Sequence, residues 1–468
     1  MSYLGRIRAL LCLATIAAAL LPLSAFANGK PQQLLMISID GLSWRVLDSN
    51  RAHLPNLAKL LQRGAAAPLR TVFPSMTWAA HTALVTGTVP ARNGVLGNRF
   101  YDRSRDDVVE SWQRDRSLNR ASTLWQVAAA AGWSTGALLW PQTSKDTALT
   151  WNVPEVYGAQ AFASGASKGL LSQIEREITI PVSHMARLGG EEAFLLDSWS
   201  RDVARWLIGT EKPRMLLLHF LSVDTFSHTY GPDVVEPRWG LELIDRYVGD
   251  VLAAYEQANL LDQLAVCIVS DHGFLALDQA FGPASELTHS PLKPKERKLL
   301  RFAINGQAVF VYGKGRTSPL DPPPITGAAG KKTKALPVDT ALVKARKWLA
   351  GHNAVERIIE PGEYAALGLG PANLDANLPD FIALLKPNVQ GWFGAKPAPK
   401  GRIATGGHGY LPSSSDLRGV FVVAGPGVAR VSPSEFRAID VAPTLARLLG
   451  LQMPPEIDGK AVDAVLAP

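Results

Sequence analysis

Three apolar segments of the chain end at or near an aspartate. Residues 34–39 run into Asp40, residues 215–221 lead shortly into Asp224, and residues 264–270 end at Asp271. A short, nearly continuous apolar run is typical of a strand that is buried on both faces of a parallel sheet. The pattern therefore predicts three buried parallel strands, each with an acidic residue at its carboxyl end.

Amphipathic segments separate these strands. Apolar residues recur at three- and four-residue steps, which predicts helices over residues 55–62, 121–131, 194–208 and 239–257. Alternating strands and helices predict an α/β fold with a mostly parallel central sheet that is flanked by helices on both faces. Such sheets bind ligands beyond the carboxyl ends of their strands. The three aspartates are therefore expected to meet where a functional site forms.

The later part of the chain changes character. A strand over residues 419–424 and a helix over residues 441–449 are expected to complete the core. Proline-rich segments such as 320–325 interrupt two short strands and a helix, predicted over residues 308–312, 381–385 and 340–349. We predict a catalytic core formed by residues 28–275 and 401–468, with residues 276–400 inserted as a cap.

The first 27 residues have the pattern of a secretory signal peptide. Arg6 and Arg8 precede an apolar stretch over residues 9–23, and small residues end at Ala27. An uncleaved membrane anchor is the alternative, but Pro22 and the small residues before the cleavage position disfavour a spanning helix. No later segment is apolar for long enough to cross a bilayer. We therefore expect a periplasmic or secreted protein with no membrane span after cleavage.

Charge and cysteine content change this picture only slightly. Cleavage would lower the formal charge from +7 to +5, because the signal segment holds two arginines and no acidic residue. This mild excess is compatible with anionic substrates, and the lack of a dense lysine and arginine run argues against a nucleic-acid partner. Cys267 alone remains after cleavage, so no intrachain disulfide is expected and stability must come from the hydrophobic core.

Seven residues combine the side chains of a metal site with a hydroxyl nucleophile: Asp40, Thr77, Asp224, His228, Asp271, His272 and His408. Singly, each has another explanation, such as a helix cap or a turn residue. Asp224 and His228 stand four residues apart and would lie on one side of a helical turn. Asp271 and His272 precede a glycine, which lets the backbone turn so that both side chains reach one crevice. Three carboxylates and three imidazoles without a thiolate suit zinc, and their number is sufficient for two ions.

Thr77 is the candidate nucleophile. Residues 78–86 are expected to form a helix, which would place the Thr77 hydroxyl where amide donors and the helix dipole favour an anion. A simple N-cap threonine is the alternative interpretation, and the two roles are compatible. A threonine hydroxyl is a weak nucleophile until a metal or a base lowers its pKa. The nucleophile hypothesis therefore depends on the neighbouring metal ligands.

Several motifs follow one another along most of the chain: Ser38-Ile-Asp-Gly41, Phe73-Pro-Ser-Met-Thr-Trp78 with His81 and Leu84-Val-Thr-Gly87, Asn93-Gly-Val-Leu-Gly-Asn98 with Tyr101-Asp102, Asp224-Thr-Phe-Ser-His228 with Tyr230-Gly-Pro232, Ser270-Asp-His-Gly273, and Gly407-His-Gly-Tyr410. As an ordered set, they resemble the nucleotide pyrophosphatase/phosphodiesterase branch of the alkaline phosphatase superfamily. Each motif alone would be a weak signal, whereas the set is specific.

This resemblance implies an alkaline phosphatase-like fold with two Zn2+ ions as cofactors. Asp40, Thr77, Asp271 and His272 would hold one ion, and Asp224, His228 and His408 would hold the other. Thr77 would attack phosphorus and form a covalent phosphothreonine-type intermediate, and Asn98 would donate a hydrogen bond to a phosphoryl oxygen. The implied activity is metal-dependent hydrolysis of phosphodiester or pyrophosphate bonds in a small-molecule or nucleotide substrate.

Substrate-contacting positions depart from the family pattern. Nucleotide-cleaving relatives usually have Phe-Pro-Asn-His after the nucleophile, whereas this chain has Trp78-Ala-Ala-His81. Trp78 could stack on a base or pack in the core. Tyr157 is a second candidate substrate-binding aromatic residue, and Lys145 could contact a phosphate or remain solvated in its loop. The substrate therefore stays open.

Other reactions share the same metal core. A phosphomonoesterase, a phosphonoacetate hydrolase and a phosphoryl-group transferase are the alternatives. A sulfatase is disfavoured because the nucleophile region has no Cys/Ser-x-Pro-x-Arg pattern. Monoesterases usually add cationic groups, and apart from Lys145 none is evident near the motifs, which favours diesters. A binding protein built on an inactive hydrolase fold should lack a ligand or the nucleophile, and all seven residues are present.

Overall fold

The computed structural model describes residues 29–156, 158–179, 181–182, 192–321, 337–392 and 404–467. The predicted signal peptide, residues 1–27, lies outside these ranges, so its cleavage and the expected location stay predictions. Within the ranges described, the longest helices are too polar or too short to span a bilayer.

The strands of these ranges are numbered in chain order: β1 Gln33–Ile39, β2 Ala65–Arg70, β3 Arg99–Asp102, β4 Asp107–Glu110, β5 Thr135–Trp140, β6 Trp151–Pro154, β7 Met215–Phe220, β8 Leu264–Val269, β9 Leu275–Ala276, β10 Gln279–Phe281, β11 Leu300–Asn305, β12 Ala308–Gly313, β13 Val355–Ile359, β14 Phe381–Leu385, β15 Val389–Gly391, β16 Gly406–Gly407, β17 Gly419–Ala424 and β18 Phe436–Arg437. The helices are Trp44–Ser49, Pro55–Arg63, Thr77–Thr86, Pro90–Asn93, Leu124–Ala130, Ala159–Gly165, Leu170–Glu177, Ala193–Thr210, Ser222–Tyr230, Val235–Gln257, Pro283–Glu286, Pro294–Arg297, Pro337–Ala350, Tyr364–Leu367 and Ala438–Leu449.

The core of the fold is an eight-stranded sheet with the order β18-β2-β17-β8-β1-β7-β5-β6. β1 pairs in parallel with β7 and with β8, so Ile37 lies opposite Leu218 on one side and Ile268 on the other. β5 and β6 continue the parallel pairing beyond β7, whereas β17 runs antiparallel to both of its neighbours. The predicted mostly parallel central sheet is confirmed.

Helices cover both faces of this sheet. Successive strand residues point to opposite faces, so Leu35 and Ile37 of β1 belong to one buried cluster and Leu34 and Met36 to another. The first cluster includes residues of the helices Pro55–Arg63, Ala193–Thr210 and Val235–Gln257, and the second includes residues of Thr77–Thr86, Leu124–Ala130 and Ala438–Leu449. The α/β fold class, with helices on both sides, agrees with the sequence prediction.

A separate antiparallel sheet lies between β8 and β17 in the chain. Its order is β11-β12-β14-β13, and the helix Pro337–Ala350 packs on it through Ala341, Ala345 and Leu349. These elements fall within residues 276–400, the region predicted to be an inserted cap. The boundaries of that cap stay a prediction.

The sequence pattern does not predict β2, β5 and β6. β2 has the sequence Ala65-Ala-Ala-Pro-Leu-Arg70, in which alanine and proline are poor strand formers. β5 contains Gly136, and β6 ends at Pro154. Pairing with neighbouring strands, rather than local propensity, therefore selects the extended conformation of these segments.

Removal of one central side chain tests this packing. Ile37→Ala shortens a fully buried side chain, and we expect the free energy of unfolding to fall by about 2–5 kcal/mol. Urea unfolding followed by circular dichroism measures the change. Val343→Ala is the control, since Val343 is 67% exposed on a helix and its replacement should change the same free energy by less than about 0.5 kcal/mol. Equal losses in the two variants would contradict the central position of Ile37.

Candidate metal centre

Neighbouring strands of the central sheet position three of the predicted metal ligands. Asp40 directly follows β1, and Asp271 and His272 follow β8. Because β1 and β8 are parallel neighbours, their carboxyl ends lie at the same edge of the sheet. All three side chains are buried.

The remaining predicted ligands come from segments that return to this edge. Asp224 and His228 lie one turn apart on the helix Ser222–Tyr230, which begins shortly after β7. His408 follows β16, and β16 pairs with β9, the strand that follows β8. This pairing brings His408 back beside the end of β8 after the predicted cap.

Two groups of three residues each hold their ligand atoms within 4.8 Å of one another: Asp40, Asp271 and His272 in the first, and Asp224, His272 and His408 in the second. We call these the first and the second ligand group. His228 adjoins the second group, with its Nε2 3.2 Å from Nε2 of His408. The structure thus brings the six predicted carboxylates and imidazoles together, and it places His272 in both groups.

Three carboxylate oxygens in this crevice are buried without a hydrogen bond within the described part of the chain. They are Oδ1 of Asp40, Oδ1 of Asp224 and Oδ2 of Asp271. A buried carboxylate oxygen normally has a hydrogen-bond donor or a cation beside it. The three oxygens therefore fit a site for divalent cations.

The three candidate imidazole ligands are oriented by backbone carbonyl groups. Nδ1 lies 2.9 Å from Gly406 O in His228, 3.2 Å from Gly273 O in His272 and 2.8 Å from Ser75 O in His408. When Nδ1 donates to a carbonyl oxygen, Nε2 keeps its lone pair for a metal ion. Each ring therefore presents the nitrogen that a cation needs.

Electrostatic interactions in the crevice favour an added positive charge. Burial and the carboxylates of Asp271 and Asp224 raise the pKa of Asp40 well above its ordinary value. Burial also opposes ionisation of Asp271, but the imidazoles of His272 and His81 outweigh it and hold the pKa of Asp271 well below its ordinary value. Burial disfavours a charge on His272, yet Asp271 raises the pKa of His272 to about 9. The carboxylates thus favour either a proton on His272 or a bound cation between them.

Thr77 lies beside these ligands. It is the first residue of the helix Thr77–Thr86, one residue earlier than predicted, and its Oγ1 is 3.4 Å from Nε2 of His272. The predicted phosphate-binding residue Asn98 is next to it, since Oδ1 of Asn98 accepts a hydrogen bond of 3.1 Å from the backbone N–H of Trp78. The hydroxyl and the Asn98 amide therefore face the same end of the helix, where an anion is favoured.

A cavity of about 270 Å3 opens beside the ligands. Its lining includes Asn98, Trp112, His228, Gln307, Gln390 and His408. Trp78 is only 4% exposed and packs edge-on against Trp112, with 5.9 Å between the ring centroids. Lys145 is exposed in its loop, and Tyr157 lies outside the described residues. Trp112, which sequence reasoning did not identify, is therefore the aromatic residue that lines this cavity.

The turn between β11 and β12 packs directly on the site. A Cβ atom on Gly306, where φ is +59°, would lie 1.6 Å from the carbonyl oxygen of His408. The amide of Asn305 in the same turn accepts from Arg99 N at 3.0 Å and donates to Arg99 O at 2.8 Å. The turn therefore contacts the backbone of His408 through Gly306 and binds the backbone of Arg99, the residue after Asn98, through Asn305.

Two buried histidines behind the ligands are not among the predicted site residues. Nε2 of His219 on β7 lies 3.1 Å from Oδ2 of Asp40. Nε2 of His81 lies 2.8 Å from Oγ of Ser38, and its Nδ1 lies 3.7 Å from Oδ2 of Asp271. A histidine inside the apolar run 215–221 is the sequence signal that could have identified His219.

Asp197 anchors the helix that carries Asp224 and His228. Its Oδ1 accepts from Leu221 N at 2.8 Å, its Oδ2 accepts from Ser222 N at 2.9 Å, and the Ser222 hydroxyl donates to the same oxygen. These are the unpaired donors at the start of the helix Ser222–Tyr230. A residue of another helix thus caps the helix of the second ligand group.

A largely parallel α/β sheet with carboxylates and imidazoles at the carboxyl edge of its strands is the arrangement of the alkaline phosphatase superfamily. Within it, the chain belongs to the type I phosphodiesterase / nucleotide pyrophosphatase family, whose sequence model matches residues 34–317, more than half of the chain. The matched segment carries Asp40, Thr77, Asp224 and Asp271. The family predicted from the motifs is confirmed.

Relatives of known name support the same family. Ectonucleotide pyrophosphatase/phosphodiesterase family member 7 of Rattus norvegicus is 25% identical over 315 residues, which cover 63% of this chain and 64% of that protein. Family member 3 of Bos taurus is 24% identical over 252 residues, which cover 53% of this chain and 25% of that protein. The chain thus spans less than two thirds of the length of these relatives.

Solved structures show the same fold. Human ectonucleotide pyrophosphatase/phosphodiesterase 5 superposes with a TM-score of 0.66 at 18% identity, covering 93% of this chain and 100% of that chain. An inactive form of the murine protein in complex with AMP superposes with a TM-score of 0.63 at 16% identity, covering 91% of this chain and 96% of that chain.

The cap formed by Asp197 predicts a pH-dependent stability. Burial raises the pKa of Asp197 from 3.8 to about 6 against the opposing hydrogen bonds of Ser222 and Leu221. The folded state therefore binds this proton more tightly than the unfolded state. The contribution to the free energy of unfolding is complete below pH 3.8 and is lost as the pH rises through about 6, a change of about 3 kcal/mol.

Urea unfolding of wild type and Asp197→Asn between pH 4 and pH 7 measures this contribution. As the pH rises from 4 to 7, wild type should lose about 2 kcal/mol of unfolding free energy relative to Asp197→Asn, because the asparagine does not titrate. A difference that is constant over this range would show that burial does not raise the pKa of Asp197.

Proposed function

We propose that the chain is an exported phosphodiesterase or nucleotide pyrophosphatase with two Zn2+ ions and a covalent phosphothreonine-type intermediate. The observation that supports this most directly is the position of the Thr77 hydroxyl. Its Oγ1 lies 3.4 Å from Nε2 of His272, the imidazole that both ligand groups share. A hydroxyl beside two candidate cation sites is placed to act as a nucleophile.

The donor set supports zinc. Carboxylate oxygen and imidazole nitrogen ligands without a thiolate suit this ion. We assign Asp40, Thr77, Asp271 and His272 to one ion, and Asp224, His228 and His408 to the other. When bound, zinc would lower the pKa of the threonine hydroxyl and neutralise charge on the phosphoryl group.

Hydrolysis would proceed in two steps at Thr77. In the first step, Oγ1 loses its proton and bonds to phosphorus while the bond from phosphorus to the leaving oxygen breaks, and the leaving group takes up a proton. In the second step, water attacks the same phosphorus, the bond to Oγ1 breaks and the hydroxyl is regenerated. Asn98 uses its NH2 group to donate to a phosphoryl oxygen, because its Oδ1 is held by Trp78 N.

The cavity beside the site supports a diester substrate. Arg99 is the cationic side chain in its lining, and its Nε donates to Glu110 at 2.9 Å while its guanidinium lies 4.7 Å from the centre of the Trp112 ring. Because Arg99 already binds Glu110 and Trp112, we do not expect it to neutralise the additional negative charge of a phosphomonoester. The cavity also provides space for the second substituent of a diester beside His228 and His408.

A nucleotide is the substrate class that the relatives favour. The relatives are named as nucleotide pyrophosphatases and phosphodiesterases, and the murine structure holds AMP. We propose a small nucleotide or related diester for this chain. Trp112 lines the cavity, where a base could stack on its ring, and the buried Trp78 packs edge-on against it.

Two further proposals concern processing and domain organisation. Residues 1–27 would direct export and be cleaved, which places the mature protein in the periplasm or outside the cell. Residues 276–400 would act as the cap over the site, since Gln307 and Gln390 of this region line the cavity.

Replacement of Thr77 tests the nucleophile. Thr77→Ala should lower turnover of bis-p-nitrophenyl phosphate by at least about 1000-fold, while zinc content measured by elemental analysis stays close to that of wild type because the other ligands remain. Thr77→Ser keeps a hydroxyl and should retain measurable activity. Thr82→Ala is the matched control on the same helix, since its hydroxyl donates to the helix carbonyl of Trp78. Turnover by Thr77→Ala at the rate of the control would remove Thr77 from this role.

A substrate panel separates the candidate reactions. Purified, zinc-loaded protein should hydrolyse bis-p-nitrophenyl phosphate and a dinucleotide faster than p-nitrophenyl phosphate or phosphonoacetate, because the cavity holds a second substituent and lacks a spare cation in its described lining. A dominant monoester rate would favour the phosphomonoesterase alternative. Product transfer to an added alcohol instead of water would favour the transferase alternative.

A further inference from the structure

His219 occupies an unusual position for an imidazole. It lies on β7 opposite Ser38 of β1, and none of its side chain is exposed. A buried imidazole requires a hydrogen-bond partner for each ring nitrogen. Oxygen atoms face both nitrogens of His219: Oδ2 of Asp40 lies 3.1 Å from Nε2, and the carbonyl oxygen of Leu139 lies 2.9 Å from Nδ1.

Glu155 adds a carboxylate on the Nδ1 side of this ring. Its Oε2 lies 3.1 Å from Nδ1 of His219, and the residue is 8% exposed just beyond the end of β6. Oxygen atoms of the Leu139 carbonyl and of Glu155 therefore lie on the Nδ1 side of the ring, and Oδ2 of Asp40 lies on its Nε2 side. The ring of His219 is held between these groups.

The backbone of β5 is bent at the point where it meets His219. Leu139 has a φ of +54°, a conformation that residues with a side chain rarely adopt. The pairing of β5 with β6 shifts register between Leu138 and Trp140. This bulge directs the Leu139 carbonyl at Nδ1 of His219. A strained residue inside a strand of the main sheet supports a role for the contact that it creates.

The contact with His219 determines which oxygen of Asp40 remains available. Oδ2 is held by Nε2 of His219, whereas Oδ1 has no hydrogen bond among the described residues and lies 3.6 Å from Nε2 of His272. A carboxylate that is fixed through one oxygen presents the other oxygen in a single direction. Residues behind a metal ligand commonly orient it in this way.

We propose that His219 and Glu155 are positioning residues for Asp40. Glu155 and the Leu139 carbonyl orient the ring of His219, and His219 holds Oδ2 of Asp40 so that Oδ1 faces the first ligand group. This inference rests on the cation site of the proposed function and adds two residues that lie outside its ligand set. Neither residue touches the substrate in this arrangement.

Zinc binding to the full chain, freed of metal with a chelator, tests the proposal. The parent variant for this test is His408→Ala, which removes a ligand of the second group and leaves Asp40, Asp271 and His272 in place. In this background, His219→Leu fills much of the ring's volume but cannot donate to Asp40. We expect its zinc affinity, measured by isothermal titration calorimetry, to fall about 10- to 100-fold.

Two further variants separate positioning from packing. His219→Gln restores a donor toward Asp40 and should recover most of the affinity, whereas Glu155→Gln keeps the shape but puts an amide group in place of the carboxylate beside Nδ1 and should show an intermediate loss. A packing role predicts the reverse order, in which leucine preserves the affinity and glutamine does not. That order overturns the proposal, as does unchanged affinity in both His219 variants.

Controls distinguish a loss of zinc affinity from a loss of folding. Far-UV circular dichroism reports whether each variant folds. If His219→Leu does not fold, the zinc affinity of Glu155→Gln tests the proposal instead. An affinity weaker than that of the parent supports the proposal, and an affinity equal to that of the parent overturns it. A parent that binds no zinc also overturns it. The calorimetric readout does not require turnover, so a protein that binds zinc as expected but cleaves no diester would contradict the proposed function alone.

Discussion

Repulsion among three closely spaced carboxylates, two of them buried, is the constraint on which this site depends. Asp40, Asp224 and Asp271 converge at one edge of the central sheet, and each keeps an oxygen without a hydrogen bond in the described chain. Charges removed from water in this way cost several kcal/mol each unless positive charge compensates them. The surrounding imidazoles, the start of the Thr77 helix and the proposed cations all supply that compensation. The arrangement therefore favours a bound cation among these carboxylates.

The fold meets this constraint with rigid backbone rather than with side chains alone. Parallel pairing of β1 with β8 fixes the distance between Asp40 and Asp271, and the carbonyl groups of Ser75, Gly273 and Gly406 fix three imidazole rings. Asp197 holds the start of the helix that carries Asp224. Gly273 directly follows His272, but the carbonyl groups that orient His228 and His408 belong to distant segments of the chain. The complete site therefore depends on tertiary structure.

The sequence predicts the parts that local patterns encode. Continuous apolar runs that end in Asp40 and Asp271 indicate buried parallel strands, and the common edge of those strands explains why the ligands meet. Other features depend on tertiary structure. β2 contains three alanines and a proline, and β6 ends in a proline, so only pairing reveals them as strands.

The role of His219 depends on a neighbouring strand and on the bulge at Leu139, and no pattern within β7 indicates either. Whether Trp78 or Trp112 lines the cavity is likewise decided by packing.

The turn at Asn305 and Gly306 has an evolutionary consequence, because it touches both the backbone of His408 and the residue after Asn98. A relative that exchanged or lost the β11–β12 hairpin would have to rebuild two parts of the candidate site at once. We therefore expect this hairpin and the two segments that it contacts to change together in evolution.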